Sequence, residues 1–343
     1  MPPFDDRPSL FAPVVAQVPD EGLVAMAART SRLVRLGPCG WGFAHWRGTL
    51  YGAASGTRRL HGSLGLAALA RSPLIRCVSL ERGYLHPYAC DELRTYADAV
   101  PADFRFMVRA PAMLTSVLAR DRRGRAEGLN PHFLDQGLAQ HWLDTCVTGL
   151  GERLGVLLFD MGPYPSARMK SLAARHEAVD RLHDFFETFL TSVPDAVGVT
   201  TALEVRNPTL LTPRLIDGLR ELGVRPVLGL TAGMPGILRQ MRALAYCDGG
   251  KQAPPDWQLQ GPLVIRWQHA AGMERRFVGG GVKGADPVTR AGIASLVMRA
   301  VRSGQPAYVV AGDDAEGSAP ETLRAILTSV DSVRREIYQR ERG

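Results

Sequence analysis

Between residues 33 and 312 the chain repeats one pattern eight times: a short run rich in Val, Leu, Ile or Phe, then a longer stretch with helical periodicity. Short apolar runs bounded by Gly or Pro read as buried strands, and strands separated by helices pair in parallel because each crossover must span the sheet. The strand candidates are 33–40 (LVRLGPCG), 74–81 (LIRCVSLE), 103–110 (DFRFMVRA), 155–161 (GVLLFDM), 199–206 (VTTALEVR), 225–230 (RPVLGL), 262–268 (PLVIRWQ) and 306–312 (PAYVVAG). Eight strand–helix units in about 300 residues make the repeat of a TIM (β/α)8 barrel, an α/β fold. A doubly wound open sheet is the competing architecture, but it uses a Gly-rich turn after its first strand, and GWGFAHWRG lacks the GxGxxG spacing. The expected architecture is therefore a barrel domain over 33–343 with a short N-terminal extension over 1–32 that carries a helix around Glu21 to Arg29.

The helical stretches carry their own signals. In 180–193, Leu182, Phe185, Phe186, Phe189 and Leu190 fall on one stripe. Over 286–303, Asp286 suits an N-cap, Pro287 the first helical position and Gly304 a stop. The segment 320–341 opens with Pro320 and Glu321 and closes in a basic run, as the helix dipole favours. Two connections are long: 111–130, with Arg120, Arg122, Arg123 and Arg125, and 269–285, with Gly279, Gly280, Gly281 and Gly284 beside Arg275, Arg276 and Lys283. Both follow strands and so belong to the C-terminal face, where long loops tend to carry function.

Side chains along a barrel strand alternate between the interior and the helix layer. With Leu203 and Val205 outward, Ala202, Glu204 and Arg206 point in; with Leu263, Ile265 and Trp267 outward, Val264, Arg266 and Gln268 point in. The same parity sends Arg105, Met107, Arg109, Leu158 and Asp160 inward. The upper interior thus gathers Arg109, Arg206 and Arg266 with Asp160, Glu204 and Asp314. Charges there are costly unless paired or bound to ligand, and barrel enzymes place their catalytic groups at strand C-termini. Two readings follow: an anion pocket in which arginines grip phosphate or carboxylate while Glu204 or Asp160 transfers a proton, or a self-satisfied salt-bridge network. Trp41, Trp46 and His45 follow strand 1; they offer a stacking surface for a ligand, or they anchor the first loop.

Other classes are disfavoured. At 45% hydrophobic and 22% charged, the chain can bury a sizeable core. No apolar run approaches the roughly 18–20 residues of a spanning helix. Five scattered cysteines without CxxC spacing, and a start at Met1 to Asp20 that lacks a secretory pattern, point to reduced thiols in the cytoplasm. Neither metal nor cofactor is expected: His45, His86 and His269 are the only nitrogens near the mouth, and GGGVKG at 279–284 is not a Walker motif. The net charge of +7, almost entirely from arginine, favours anionic partners such as phosphates or nucleic acid.

Several motifs are similar to those of one family. GPCGWGFAHWRGTLY at 37–51 resembles the opening of the YecE-like family, also called domain of unknown function 72. DFRFMVRAP (103–111), LGERLGVLLFDMGP (150–163), LEVRNP (203–208), LVIRWQH (263–269) and GDDAEGSAP (312–320) resemble its later motifs in order, so the likeness covers 35 to about 330 and implies a TIM barrel. Glu204, Arg206, Arg266, Asp314, Glu316, Trp41, Trp46 and Tyr51 match the family pattern. The chain departs where the family has Lys (Arg109), Gln (Asp160), His (Gln268) and a strand 2 Val-Glu-x-Asn (Val78, Ser79, Leu80, Glu81), and where an Asp commonly follows strand 6 (Gly229, Leu230, Thr231). These changes mark a divergent member, and the resemblance implies no settled activity. Two functions follow: an enzyme acting on a phosphorylated or nucleotide-type ligand held by Arg109, Arg206 and Arg266, with Glu204 as acid or base and Trp41 or Trp46 stacking, or a non-catalytic nucleic-acid or anion-binding protein using the basic loops.

Overall fold

A computed structural model describes residues 12–120, 125–194, 198–268 and 284–340. Each of the eight apolar runs forms a parallel strand: β1 (Val34–Pro38), β2 (Cys77–Leu80), β3 (Arg105–Arg109), β4 (Leu154–Met161), β5 (Thr200–Val205), β6 in two halves (Arg225–Pro226 and Leu228–Leu230), β7 (Leu263–Trp267) and β8 (Ala307–Ala311). Hydrogen-bonded ladders run β2-β3-β4-β5 to the first half of β6, and β1-β8-β7 to its second half. Two junctions close the ring. Val227, between the halves of β6, donates to the Leu203 carbonyl at 2.9 Å, and β1 meets β2 through Gly40 N to Ser79 O and Arg76 N to Leu36 O, both 2.9 Å. That second seam explains a glycine inside β1: a Cβ on Gly37 would sit 1.9 Å from the Cys77 carbonyl oxygen.

Parity sorts the strands as expected. Cys77, Met107, Val156, Leu158, Ala202, Val227, Val264, Tyr308 and Val310 form a barrel-interior cluster distinct from the larger core between strands and helices. The outer core is dense in aromatics: Phe159 on β4 meets Trp142, Phe185, Phe186 and Phe189 edge-on, at centroid distances of 5.0–5.7 Å. Those partners lie on α5 (Gln136–Leu150) and α6 (Leu172–Leu190). The remaining helices are α1 (Glu21–Arg29), α2 (Ser63–Leu69), α3 (Cys90–Asp98), α4 (Ala112–Thr115), α7 (Pro213–Glu221), α8 (Ile237–Gly249), α9 (Pro287–Arg302) and α10 (Ala319–Arg340). Helix α9 begins as its sequence dictates, with Asp286 accepting from Thr289 N at 2.9 Å ahead of Pro287.

Two expectations need adjustment. The segment 111–130 is more than a loop: it holds α4 and an antiparallel hairpin of Leu118–Arg120 with Ala126–Leu129. Helix α6 starts ten residues before the first residue of the apolar stripe, because Ser171 caps it by accepting from Ala174 N at 3.1 Å. Helix α1 lies against α10, tied by Asp20–Arg324 at 2.7 Å and Arg29–Asp331 at 3.5 Å. Among the described residues, no helix is long and apolar enough to cross a membrane.

Candidate functional site

The register of the sheet builds the site. Asp160 on β4 and Glu204 on β5 are direct neighbours across the ladder, so two carboxylates stand side by side facing inward. Arg266 on β7 pairs in register with Gly229 on β6, which separates it from β5. Because Gly229 has no side chain, the Glu204 carboxyl occupies the space beside it; a Cβ there would lie 2.6 Å from Glu204 Oε1.

From that position Arg266 reaches three acids. Its Nη1 donates to Asp160 Oδ2 and Glu204 Oε2, both at 2.9 Å, and its Nη2 donates to Glu81 Oε2 at 2.6 Å. Arg206 grips Asp160 in a two-pronged pair, Nε to Oδ1 and Nη2 to Oδ2, each 2.7 Å, and Nη2 also reaches Gln268 Oε1 at 3.0 Å. Arg109 Nη2 lies 2.7 Å from Asp160 Oδ2 and Nη1 donates to Glu81 Oε2 at 3.3 Å, while its guanidinium stacks 3.5 Å over the Tyr84 ring. Ser79 Oγ donates to Glu81 Oε1 at 2.7 Å. Three arginines thus meet three carboxylates in two layers. Arg266, Glu204 and Asp160 are 0–1% exposed and form a floor; Arg109, Arg206 and Glu81, at 16–21%, form a rim.

The two floor carboxylates are driven apart in acidity. Burial pushes Asp160 upward, but Arg266, Arg109 and Arg206 outweigh it and hold the group well below the usual carboxylate range. Burial raises Glu204, and the Asp160 charge beside it raises it further, beyond what Arg266 and Arg206 recover. Glu81 follows Asp160: burial opposes ionisation, and Arg266 with Arg109 more than offsets it. Geometry agrees. Arg206 Nε lies 3.2 Å from Glu204 Oε1, yet its single hydrogen is directed at Asp160, so Oε1 is buried with no hydrogen-bond partner among the described residues. Arg109 Nε and Thr231 Oγ1, just past β6, are buried and orphaned in the same sense. Such an arrangement offers a carboxyl able to hold a proton beside arginines with donors to spare.

Residues 35–342 match the model of a protein family described as "Protein of unknown function DUF72". The chain belongs to the DUF72 family. Two solved DUF72 proteins share its fold: one from Enterococcus faecalis, 12% identical, with a TM-score of 0.52 over 87% of this chain and 97% of that one, and one from Thermotoga maritima, 15% identical, with a TM-score of 0.51 over 88% of this chain and 99% of that one. Comparison with curated proteins returned no match. At these identities the solved relatives speak to the fold alone.

In this DUF72 chain, five of the eight expected site residues come together: Arg109, Arg206, Arg266, Asp160 and Glu204. The other three do not join them. Asp314 is exposed, and the acid that turns inward after β8 is its neighbour Asp313. Trp46 is 1% exposed and donates its indole N–H to Asp313 Oδ1 at 3.0 Å, so it has no free face for stacking. Trp41 donates to the Gly62 carbonyl at 3.1 Å and meets Tyr96 edge-on at 5.0 Å, which makes it an anchor of the first loop. Asp313 also accepts from Ala319 N at 2.7 Å and lies 2.9 Å from His45 Nε2, binding the turn after β1 to the start of α10. Glu316 is likewise structural, accepting from Asp286 N at 2.7 Å and from Arg290 at 2.8 Å.

Asp160 is the most heavily paired acid of the cluster. Its oxygens lie within 2.7–2.9 Å of three arginines, whose charges hold its proton affinity low. Glu81 is the acid that the sequence reading passed over as a site residue. It closes the apolar run 74–81, one residue beyond β2, and the alternation that turns Cys77 into the barrel turns Ser79 and Glu81 inward as well; that parity was the available signal. His269, Arg122, Arg123, Arg275, Arg276 and Lys283 lie outside the described residues, as does the side chain of Arg120.

Proposed function

We propose that this protein is an enzyme whose barrel mouth binds a phosphorylated or nucleotide-type anion, with Glu204 as the proton-exchanging group. The supporting observation is the buried, partnerless Oε1 of Glu204 beside a carboxylate that stays ionised. With Glu204 ionised the six charged groups cancel; with Glu204 protonated they carry one net positive charge. Proton uptake by Glu204 and capture of an anion therefore favour each other. The rim arginines Arg109 and Arg206 are the groups an entering phosphoryl oxygen meets first, and the orphaned Arg109 Nε and Thr231 hydroxyl supply donors. Glu204 then gives its proton to a ligand oxygen as negative charge develops there, acting as a general acid.

The test is thermal stabilisation by sulfate, phosphate and nucleoside monophosphates across mildly acidic to neutral pH, for the wild type and Glu204→Gln. Sulfate keeps constant charge over this range, so any pH dependence belongs to the protein. Wild-type stabilisation should grow as pH falls through the raised Glu204 pKa, whereas the Gln variant, permanently neutral there, should respond without that slope. Equal slopes in both proteins would refute the role of Glu204. Gel-shift affinity for nucleic acid with no response to any small anion would replace this reading with non-catalytic binding through the basic loops.

A further inference from the structure

At the opposite, N-terminal end of the barrel a second group of arginines has no carboxylate to grip among the described residues. Parity places Arg35 inward with Gly37 and Cys39, and Arg105 inward with Met107 and Arg109; both lie at the starts of their strands, and Arg153 immediately precedes β4. Arg35 pairs in register with Tyr308 and carries its guanidinium 5.9 Å from that ring. A Cβ on Gly155 would lie 3.0 Å from both the Arg105 Cβ and the Tyr308 hydroxyl, so Gly155 lets these two approach over the barrel floor.

The hydrogen bonds made by these guanidinium groups go to backbone. Arg105 Nη1 donates to the Ala102 and Phe104 carbonyls, both at 2.9 Å, and Arg35 Nη1 donates to the Asp103 carbonyl. Two donors remain: Arg35 Nε and Arg153 Nε are buried with no partner among the described residues. The carboxylate that weighs against this positive field is that of Asp103, which is exposed, while Arg35 and Arg153 both bear on Arg105 and lower its proton affinity alongside burial. Like charges converging around buried donors, without a buried acid among the described residues, leave a deficit of negative charge.

We infer that the N-terminal end of the barrel binds a small tetrahedral oxyanion of the phosphate class, held by Arg35, Arg105 and Arg153 with the Tyr308 hydroxyl beside them. This site lies at the far end of the strands from the Glu204 cluster and does not depend on the function proposed for it. The ligand must be small, because the unpartnered Nε atoms are recessed and a guanidinium presents Nε and Nη donors spaced for two oxygens of one anion.

Protection from phenylglyoxal, located residue by residue by mass spectrometry, tests the site with inorganic phosphate as the probe and sodium chloride at matched ionic strength as the control. Phosphate should slow adduct formation at Arg35 and Arg153 while chloride should not. Arg153→Gln removes a side chain that donates no hydrogen bond among the described residues, so the fold should persist, which circular dichroism checks. It should weaken phosphate protection of Arg35 about tenfold, as expected for loss of one charge-assisted contact. Glu204→Gln should leave that protection intact. Equal rates in phosphate and chloride, or full protection of Arg35 in the Arg153→Gln variant, would overturn the proposal.

Discussion

Replacing Arg266 by Met tests the energetics of the mouth. The side chain is fully buried and hydrogen-bonds to Glu81, Asp160 and Glu204. Met fills part of the volume but leaves three carboxylates facing two arginines, two of those acids almost wholly inaccessible to water. Removing one partner of a buried ion pair costs about 3–5 kcal/mol, because the remaining charge is uncompensated. With about 2.1 cal/mol/K of unfolding entropy per residue over 343 residues, each kcal/mol moves Tm by about 1.4 °C, so the expected loss is about 4–7 °C at neutral pH. The pH dependence carries the sharper information. Asp160 and Glu81 have depressed folded-state pKa values, so in the wild type they stabilise the fold above their unfolded pKa, and that contribution is lost as pH falls through the folded pKa. Glu204 has a raised value, so its penalty is absent below the unfolded pKa and grows as pH rises through the folded one. Without Arg266 all three values rise, and the variant can relieve its excess negative charge by taking up protons. The stability gap to wild type should therefore narrow on moving from neutral to mildly acidic pH. Urea denaturation at both pH values, followed by circular dichroism, measures it. A gap below about 1 kcal/mol at neutral pH, or one that widens on acidification, would refute the account of a cation-dependent acidic floor.

Two further substitutions probe the supports of the site. Gly229→Ala should destabilise by about 1–3 kcal/mol through overpacking against Glu204, and should blunt the pH slope of sulfate stabilisation by displacing that carboxyl; thermal scans with and without sulfate read both effects. Asp313→Ala should lose about 2–4 kcal/mol by stranding the Trp46 indole N–H and the Ala319 amide, whereas Asp314→Ala on the exposed side should stay within about 0.5 kcal/mol in the same denaturation assay.

The sequence by itself determined the eight-strand repeat and the inward direction of Arg109, Arg206, Arg266, Asp160 and Glu204. Both follow from local rules: apolar runs of strand length, and a side-chain period of two within each strand. Those rules end where the strands end. Asp313 sits in a turn whose backbone path depends on what it packs against, so its burial, and the exposure of Asp314, were decided only by tertiary structure; Glu81 was within reach of the same alternation as Cys77, but which cations it meets was not. Trp46 was equally undecidable, since an aromatic after a strand serves a ligand or a loop according to which acid lies within reach. Parity likewise sent both Arg105 and Arg109 inward, and only the assembled barrel places one beside cations and backbone carbonyls and the other beside acids. The divergent acidities of Asp160 and Glu204 belong wholly to the folded state: one carboxylate is hydrogen-bonded by Arg206 and Arg266 and ion-paired with Arg109, while the other, with its hydrogen bond from Arg266, faces burial and a like charge that outweigh it. Which of two adjacent acids holds a proton more tightly is a property of distances across strands that the linear chain does not contain.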